Sequence, residues 1–170
     1  MKYFAYGSNM LFARLQRRVP SARRLGPASL PGHVLRFHKH GADGSGKCNA
    51  FPSGRPNDTV HGVLYEIDDK KLSRLHAAEG PGYEYVKILV NTPKGEMEAF
   101  MYRARSAFLD DALAPYTWYQ AFVVAGAREN RLPGDYVSYL ENLFGRRDPN
   151  MLRRLKNGWI LKRRRSPRDM

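Results

Sequence analysis

Residues 2–10 have the sequence KYFAYGSNM, and this stretch decides both the fold class and the place of the candidate site. Residues 3–6 are apolar or aromatic, as in a buried strand. Gly7 breaks the strand, and Asn9 is a good N-cap for a helix that continues through Leu15. A strand, a tight turn and a helix N-terminus direct several backbone N–H groups to one point, which attracts a carboxylate, a phosphate or an oxyanion. A plain strand-to-helix connection is the alternative.

The composition is that of one ordinary globular domain. The 170 residues are 42% hydrophobic and 26% charged, which is enough for a real core. No apolar run has the length of a membrane span, and no signal peptide is recognisable, so we expect a cytoplasmic protein. Cys48 is the only cysteine, which excludes an internal disulfide and a cysteine zinc site.

The charge is strongly positive. Lysine and arginine total 29 against 16 acidic residues, a net charge of +13. Much of the excess follows Gly145: Arg146, Arg147, Arg153, Arg154, Lys156, Lys162, Arg163, Arg164, Arg165 and Arg168. Such a field favours anions and weak contact with nucleic acid or an anionic membrane, whereas a solvated tail is the simpler interpretation. No zinc-finger spacing or aromatic-basic pattern of an RNA-binding sheet accompanies it.

The order of predicted elements favours an α+β fold. The patterns predict strands at 30–37, 60–67, 83–90 and 96–102, and a long surface loop at 38–59 with a short strand near 48–51. They predict helices from Asp68 to Gly80, from Pro115 to about residue 127, and a last one after Asp135. Strands outnumber helices and do not alternate cleanly with them. We therefore expect a compact mixed or antiparallel sheet, curled like a barrel and flanked by helices.

Glu79 is the residue that fits its pattern least well. In the helix DDKKLSRLHAAEG, Leu72, Leu75 and Glu79 share one face, so the carboxylate should point inward with the leucines. An inward carboxylate in the last turn of a helix is costly to ionise, because burial and the helix dipole both oppose the charge. General acid/base catalysis uses such a group. The alternative is a side chain that swings out to solvent at the helix end.

Two further residues leave alternatives open. Tyr119 lies in a helical stripe with Phe122 and Val123, where a core tyrosine is as reasonable as a ligand contact. Ser8 lacks the flanking glycine of a nucleophile elbow and a Ser-His-Asp arrangement, so it is better interpreted as a hydrogen-bond donor of the turn.

Taken together, these residues resemble the γ-glutamylcyclotransferase family. Four segments carry the resemblance in the family's order: YGSN at 6–9; VHGVLY at 60–65, similar to the family's V-x-G-V-x-Y; Leu75 with Glu79-Gly80 and the downstream Tyr85; and Tyr119 followed by GAREN at 126–130 and Leu132-Pro133. They span roughly residues 3–137. We therefore expect a catalytic domain over residues 1–145 and a basic C-terminal extension over residues 146–170.

The resemblance implies a barrel-like fold and a reaction without a cofactor or a metal. The α-amine of a γ-glutamyl group attacks its own γ-carbonyl, which releases 5-oxoproline and an amine. Glu79 is then the catalytic acid/base. The amides around Tyr6, Gly7, Ser8 and Asn9 bind substrate, as do the side chains of two pocket tyrosines. These tyrosines are Tyr85 and Tyr119.

The sequence does not identify the amine that is released. Relatives act on γ-glutamyl amino acids, on γ-glutamylamines and on γ-glutamyl-protected natural-product intermediates, and residues 38–56, which are expected to border the leaving group, match only loosely. The expected partner is a small γ-glutamyl compound; a homodimer and weak nucleic-acid contact through the basic extension stay open. Two other functions compete: a non-catalytic anion-binding module of the same fold, and a nucleic-acid-associated protein.

Overall fold

The computed structural model describes residues 1–162 and has seven strands and five helices in this range. The strands are β1 Lys2–Ala5, β2 Arg23–Pro31, β3 His33–His40, β4 Gly46–Pro52, β5 Thr59–Glu66, β6 Tyr83–Thr92 and β7 Gly95–Ala104. The helices are α1 Phe12–Arg18, α2 Leu72–Glu79, α3 Thr117–Glu129, α4 Gly134–Asn142 and α5 Met151–Lys162. Short 3₁₀ turns lie at Ser8–Met10, Asp69–Lys71 and Ser106–Phe108.

Five strands form a closed barrel in the order β1-β5-β2-β6-β7. β1 runs antiparallel to β5, with Tyr3 opposite Tyr65, and closes the barrel by a parallel contact of Tyr3 with Phe100 of β7. All other pairs are antiparallel. The prediction of a mixed, barrel-like α+β fold is thereby confirmed. Because β1 is buried between β5 and β7, the turn that follows it is fixed at the end of the barrel.

The region predicted as a long loop is largely a second sheet. β3 and β4 pair with each other, and Gly32, with a φ of 70°, separates β3 from β2. The prediction of one strand over 30–37 was therefore wrong. The side-chain oxygen of Asn49 on β4 accepts a hydrogen bond from the backbone N–H of Ala104 at 3.0 Å, which joins this sheet to the end of β7. The high glycine and proline content around these strands masked them in the sequence.

Helix α3 fixes the turn after β1. A Cβ atom on Gly126 would lie 2.5 Å from the backbone nitrogen of Leu11, so only glycine permits this approach. Asn130, which follows α3, donates a hydrogen bond from Nδ2 to the carbonyl of Met10 at 3.0 Å. The turn that carries the candidate site is therefore held from both sides, by the barrel and by α3.

The C-terminal segment is docked on the body as far as the structure describes it. Buried Asp148 accepts hydrogen bonds from Trp118 Nε1 at 2.8 Å and from Arg153 at 2.5 and 2.7 Å. The backbone of Arg146 pairs with that of Thr117 at 3.0 Å. The prediction that the helix after Asp135 is the last was wrong, because α5 follows it. The proposed division at residue 145 stays a prediction, and Arg163, Arg164, Arg165 and Arg168 lie outside the described residues.

Candidate active site

Glu79 is the last residue of α2 and points toward the turn after β1. Its side chain is 14% exposed, and Gly80, with a φ of 76°, ends the helix directly behind it. Glu79 Oε1 accepts hydrogen bonds from Asn9 Nδ2 at 2.7 Å and from Arg18 at 3.2 Å. The carboxylate is thus inward and paired rather than turned to solvent. Neither donor could be identified from the local sequence pattern around Glu79.

Asn9 is the residue that connects the turn to this carboxylate. Besides the bond to Glu79, its Nδ2 donates to the hydroxyl of Tyr3 at 3.0 Å, and its Oδ1 accepts from Arg18 at 3.0 Å. Asn9 is not the N-cap that the sequence predicted: the helix begins only at Phe12, because Leu11 is extended. Since every polar atom of its side chain is used, Asn9 holds Glu79 in one orientation.

The turn itself presents unpaired backbone donors. Met10 and Leu11 donate to the carbonyls of Gly7 and Ser8, whereas the N–H groups of Gly7, Ser8 and Asn9 find no acceptor among the described residues. A Cβ on Gly7 would lie 3.0 Å from Cys48 Cβ, so the close contact with β4 favours glycine here. The Oγ of Ser8 accepts from Arg14 Nε at 3.0 Å, a contact that agrees with a turn residue rather than a nucleophile.

A small cavity lies between the turn, α2 and the aromatic side chains. Its volume is about 30 Å³, and it is lined by Tyr3, Tyr6, Gly7, Ser8, Asn9, Cys48, Glu79, Tyr83, Tyr102 and Tyr119. Burial raises the pKa of the Tyr6, Tyr83 and Tyr119 hydroxyls well above their usual value, so these groups stay neutral and polar. We call this space the inner cavity.

β4 positions two of these tyrosines. The hydroxyl of Tyr83 donates to the carbonyl of Cys48 at 2.7 Å, and the hydroxyl of Tyr119 accepts from the N–H of Cys48 at 3.2 Å. Tyr6 donates its hydroxyl proton to the carbonyl of Tyr102. The Cys48 thiol is fully buried, and burial raises its pKa to about 12, so it is no nucleophile near neutral pH.

A larger chamber adjoins the inner cavity. It has a volume of about 410 Å³ and shares the residues Ser8, Glu79, Tyr83 and Tyr119 with the inner cavity. Four basic side chains also line it: Arg14, Arg18, Lys39 and Lys47. Glu79 therefore lies at the junction of the two spaces. We call the larger space the outer chamber.

The structure brings together most, but not all, of the predicted site residues. Tyr6, Gly7, Ser8, Asn9, Glu79 and Tyr119 all line the inner cavity. Tyr85 does not: it stacks on Phe100 at 4.8 Å between ring centroids and lines a separate depression. Tyr83, on the same strand, lies in the cavity instead. Tyr83 and Tyr85 are two residues apart and therefore lie on the same face of the strand. No pattern in the sequence distinguishes which of the two lines the cavity.

Within residues 1–162, no group of three or more His, Cys, Asp or Glu side chains is arranged to hold a metal ion. In the same range no helix is long and apolar enough to cross a membrane.

Known proteins resemble this chain over most of its length. The model of the AIG2-like family matches residues 59–140. The γ-glutamylcyclotransferase of Bos taurus is 32% identical over 147 residues, which cover 83% of this chain and 77% of the bovine protein. The protein of the same name from Homo sapiens is 32% identical over 145 residues, 82% of this chain and 76% of its own. A solved structure named gamma-glutamyl cyclotransferase has a TM-score of 0.84 at 27% identity, covering 95% of this chain and 98% of its own.

Proposed function

The chain belongs to the γ-glutamylcyclotransferase family, and from that premise we propose that it cyclises a γ-glutamyl compound to 5-oxoproline and a free amine. One observation carries the proposal: the Glu79 carboxylate lines both the inner cavity and the outer chamber, beside the turn at residues 7–9, whose amides have no acceptor within residues 1–162. A site that only bound anions would gain nothing from a carboxylate at this position, because it would repel the ligand.

The reaction needs no second substrate. The nitrogen of the α-ammonium group loses a proton and attacks the γ-carbonyl carbon, and the amide bond to the leaving nitrogen then breaks. Of the three ammonium hydrogens, one stays on the lactam nitrogen and two end on the released amine, which leaves as an ammonium ion. Since nucleophile and electrophile belong to one molecule, catalysis consists mainly of folding the substrate into the reactive geometry and moving protons.

Glu79 is the group that we assign to the proton transfers. Its ionised carboxylate accepts a proton from the α-ammonium group and later donates one to the leaving nitrogen. Asn9 and Arg18 hold the carboxylate from one side, through Oε1. The second oxygen, Oε2, is the one that we assign to the substrate. Asn9 and Arg18 are positioning residues in this scheme, because they act through Glu79.

The turn and the tyrosines bind the rest of the γ-glutamyl group. The N–H groups of residues 7–9 are suited to the negative oxygen that develops on the γ-carbonyl, or to the α-carboxylate. The neutral hydroxyls of Tyr6, Tyr83 and Tyr119 add polar contacts. The inner cavity has room for about one water-sized group, so one end of the substrate fills it while the scissile bond lies at Glu79. The leaving amine then extends into the outer chamber.

The direct test is turnover of a panel of γ-glutamyl compounds, with 5-oxoproline detected by mass spectrometry. We expect release of 5-oxoproline in equimolar amount with the free amine. The panel should contain γ-glutamyl amino acids, γ-glutamylamines and a glutamine control that lacks a bulky leaving group. If no member of the panel yields 5-oxoproline while the folded protein still binds anions, the binding-module alternative replaces the enzyme.

Replacement of Glu79 by glutamine tests the assignment of the acid/base. Glu79→Gln keeps the shape and can still accept from Asn9 and Arg18, but it cannot take a proton, so kcat should fall by about 10²–10⁴-fold. Glu84→Gln is the matched control. Glu84 also pairs with an arginine, Arg103, at 2.8 Å, but it lines neither space. Turnover by Glu79→Gln within about tenfold of the control would contradict the assignment.

A further inference from the structure

The outer chamber has more positive than negative charge. Arg18 is paired with Glu79 at 3.2 Å, and Lys47 with Asp43 at 2.7 Å. Arg14 and Lys39 also line the chamber, and neither has an ion-pair partner among the residues that the structure describes. Within the described part of the chain, two positive charges are therefore uncompensated where the leaving amine would lie.

Lys39 is the more unusual of the two. The residue is only 8% exposed, and its Nζ lies 4.7 Å from the centroid of the Tyr83 ring and 5.8 Å from that of Phe108. A Cβ on Gly82 would lie 2.6 Å from Lys39 Cε, so glycine at this position makes room for the lysine stem. Burial lowers the pKa of Lys39, and the neighbouring carboxylates of Glu79 and Asp43 oppose the shift. The ammonium group is thus held against the chamber wall without an ion-pair partner among residues 1–162.

Arg14 is the second cation of the outer chamber without an ion-pair partner in the described residues. Its Nε is used by Ser8, and its guanidinium lies 4.7 Å from the centroid of the Phe122 ring. Burial, with Arg18 nearby, lowers the pKa of Arg14 to about 10, which still leaves it charged at neutral pH. A cation withdrawn from water without an anionic partner is costly, and an anion that binds there recovers part of that cost.

We propose that Arg14 and Lys39 form an anion subsite for the leaving group, so that the enzyme selects γ-glutamyl substrates whose leaving amine carries carboxylates, the dicarboxylic amino acids above all. This inference rests on the proposed function, because it places the leaving amine in the outer chamber. The subsite distinguishes γ-glutamyl amino acids from γ-glutamylamines, a choice that the sequence left open.

The charge of the product points the same way. A γ-glutamylamine would release a cationic ammonium ion into a chamber that already has two surplus positive charges. An amino acid brings at least one carboxylate with its new ammonium group, and a dicarboxylic amino acid brings two. Charge repulsion therefore disfavours γ-glutamylamines, and charge complementarity favours γ-glutamyl compounds of dicarboxylic amino acids.

The test compares three substrates that differ in charge. γ-Glutamylglutamate and γ-glutamylglutamine have leaving groups of nearly equal shape that differ by one carboxylate, and γ-glutamylbutylamine has none. We expect kcat/KM to fall in that order, by about tenfold for each lost charge, the factor that corresponds to about 1.4 kcal/mol. The change should lie mostly in KM, because the subsite does not touch the reacting atoms.

Lys39→Met tests the residue. It should reduce the preference for γ-glutamylglutamate over γ-glutamylglutamine to within about twofold, whereas Lys39→Arg should restore it. Lys94→Met removes one charge from the exposed turn between β6 and β7 and is the control for the general field of the protein. The proposal would be overturned if the wild type had the same kcat/KM on all three substrates. It would also be overturned if Lys39→Met lowered kcat/KM by the same factor on all three.

A binding measurement separates failure of the subsite from failure of the proposed function. Free glutamate and free glutamine, titrated calorimetrically into wild type and Lys39→Met, report on the chamber without turnover. Lys39-dependent preference for glutamate, with no 5-oxoproline from any substrate, would support the subsite and refute the cyclase. 5-Oxoproline formation without any charge preference in binding or rate would refute the subsite and leave the cyclase intact.

Discussion

Replacement of Gly126 by alanine should distort the candidate active site, although Gly126 does not line it. The new Cβ would lie 2.5 Å from the nitrogen of Leu11 and 2.6 and 2.7 Å from Cβ and C of Met10. Two of these atoms are backbone, so the turn must move away from α3. In a helix interior, alanine is more stabilising than glycine by about 1 kcal/mol, whereas overpacking typically lowers the stability of the fold by about 1–3 kcal/mol. We therefore expect a net loss of stability of up to about 2 kcal/mol.

Gly158 in α5 is the matched control, because a Cβ there would meet nothing within 4 Å. Gly158→Ala should gain about 0.5–1 kcal/mol, so the difference between the two variants isolates the steric cost. Urea unfolding measures both. Activity should respond only in Gly126→Ala, where a displacement of about 1 Å in the turn can cost about 10²-fold in rate. A Gly126→Ala protein as stable and as active as Gly158→Ala would refute the close-contact argument.

Two further predictions concern a tyrosine pair and a buried carboxylate. Tyr83→Phe removes a cavity hydroxyl and should lower kcat/KM by about five- to tenfold, while Tyr85→Phe should stay within about twofold of wild type; the reverse order in steady-state kinetics would contradict the cavity assignment. The hydrogen bond from Arg153 holds the pKa of Asp148 well below its usual range. Asp148 therefore stabilises the fold above the ordinary carboxyl pKa of about 4, and this contribution is lost as the pH falls from there through the lowered pKa. Asp148→Asn should flatten the acid side of the stability curve, measured by urea unfolding between about pH 2 and pH 7. An unchanged curve would contradict this assignment.

The sequence predicted the parts of the fold that have strong local patterns. The apolar stretch of β1, the strand β5, the hairpin of β6 and β7 and the helix ended by Gly80 lie within a few residues of their predicted places. The β3–β4 sheet was harder to predict because glycine and proline surround it. α5 was missed because the run of arginines and lysines after Gly145 resembled a solvated tail. Its docking depends on Asp148, and the burial of this residue has no signature in the sequence.

The orientation of a site residue was predictable where the local sequence pattern determines it. It was not predictable where contacts between distant parts of the chain determine it. The periodicity of α2 was enough to predict that Glu79 points inward. The partnership of Asn9 with Glu79 joins residues 70 positions apart, and nothing local distinguishes it from a helix cap. Nothing in the local sequence distinguishes Arg14 and Lys39 from ordinary surface cations. Their significance depends on their withdrawal from solvent with no ion-pair partner in the described residues, which only the packed structure reveals.

The closure of the barrel by β1 has a consequence for biosynthesis. β1 precedes all its partners in the chain, which are β5 and, through Phe100, β7, and its turn is also contacted by Gly126 and Asn130. Contacts of such long sequence separation form slowly, because a large loop must close before they stabilise the chain. The nascent chain therefore cannot order the turn of the candidate site until β7 and α3 have been made, and the apolar residues of β1 lack their partners during that interval.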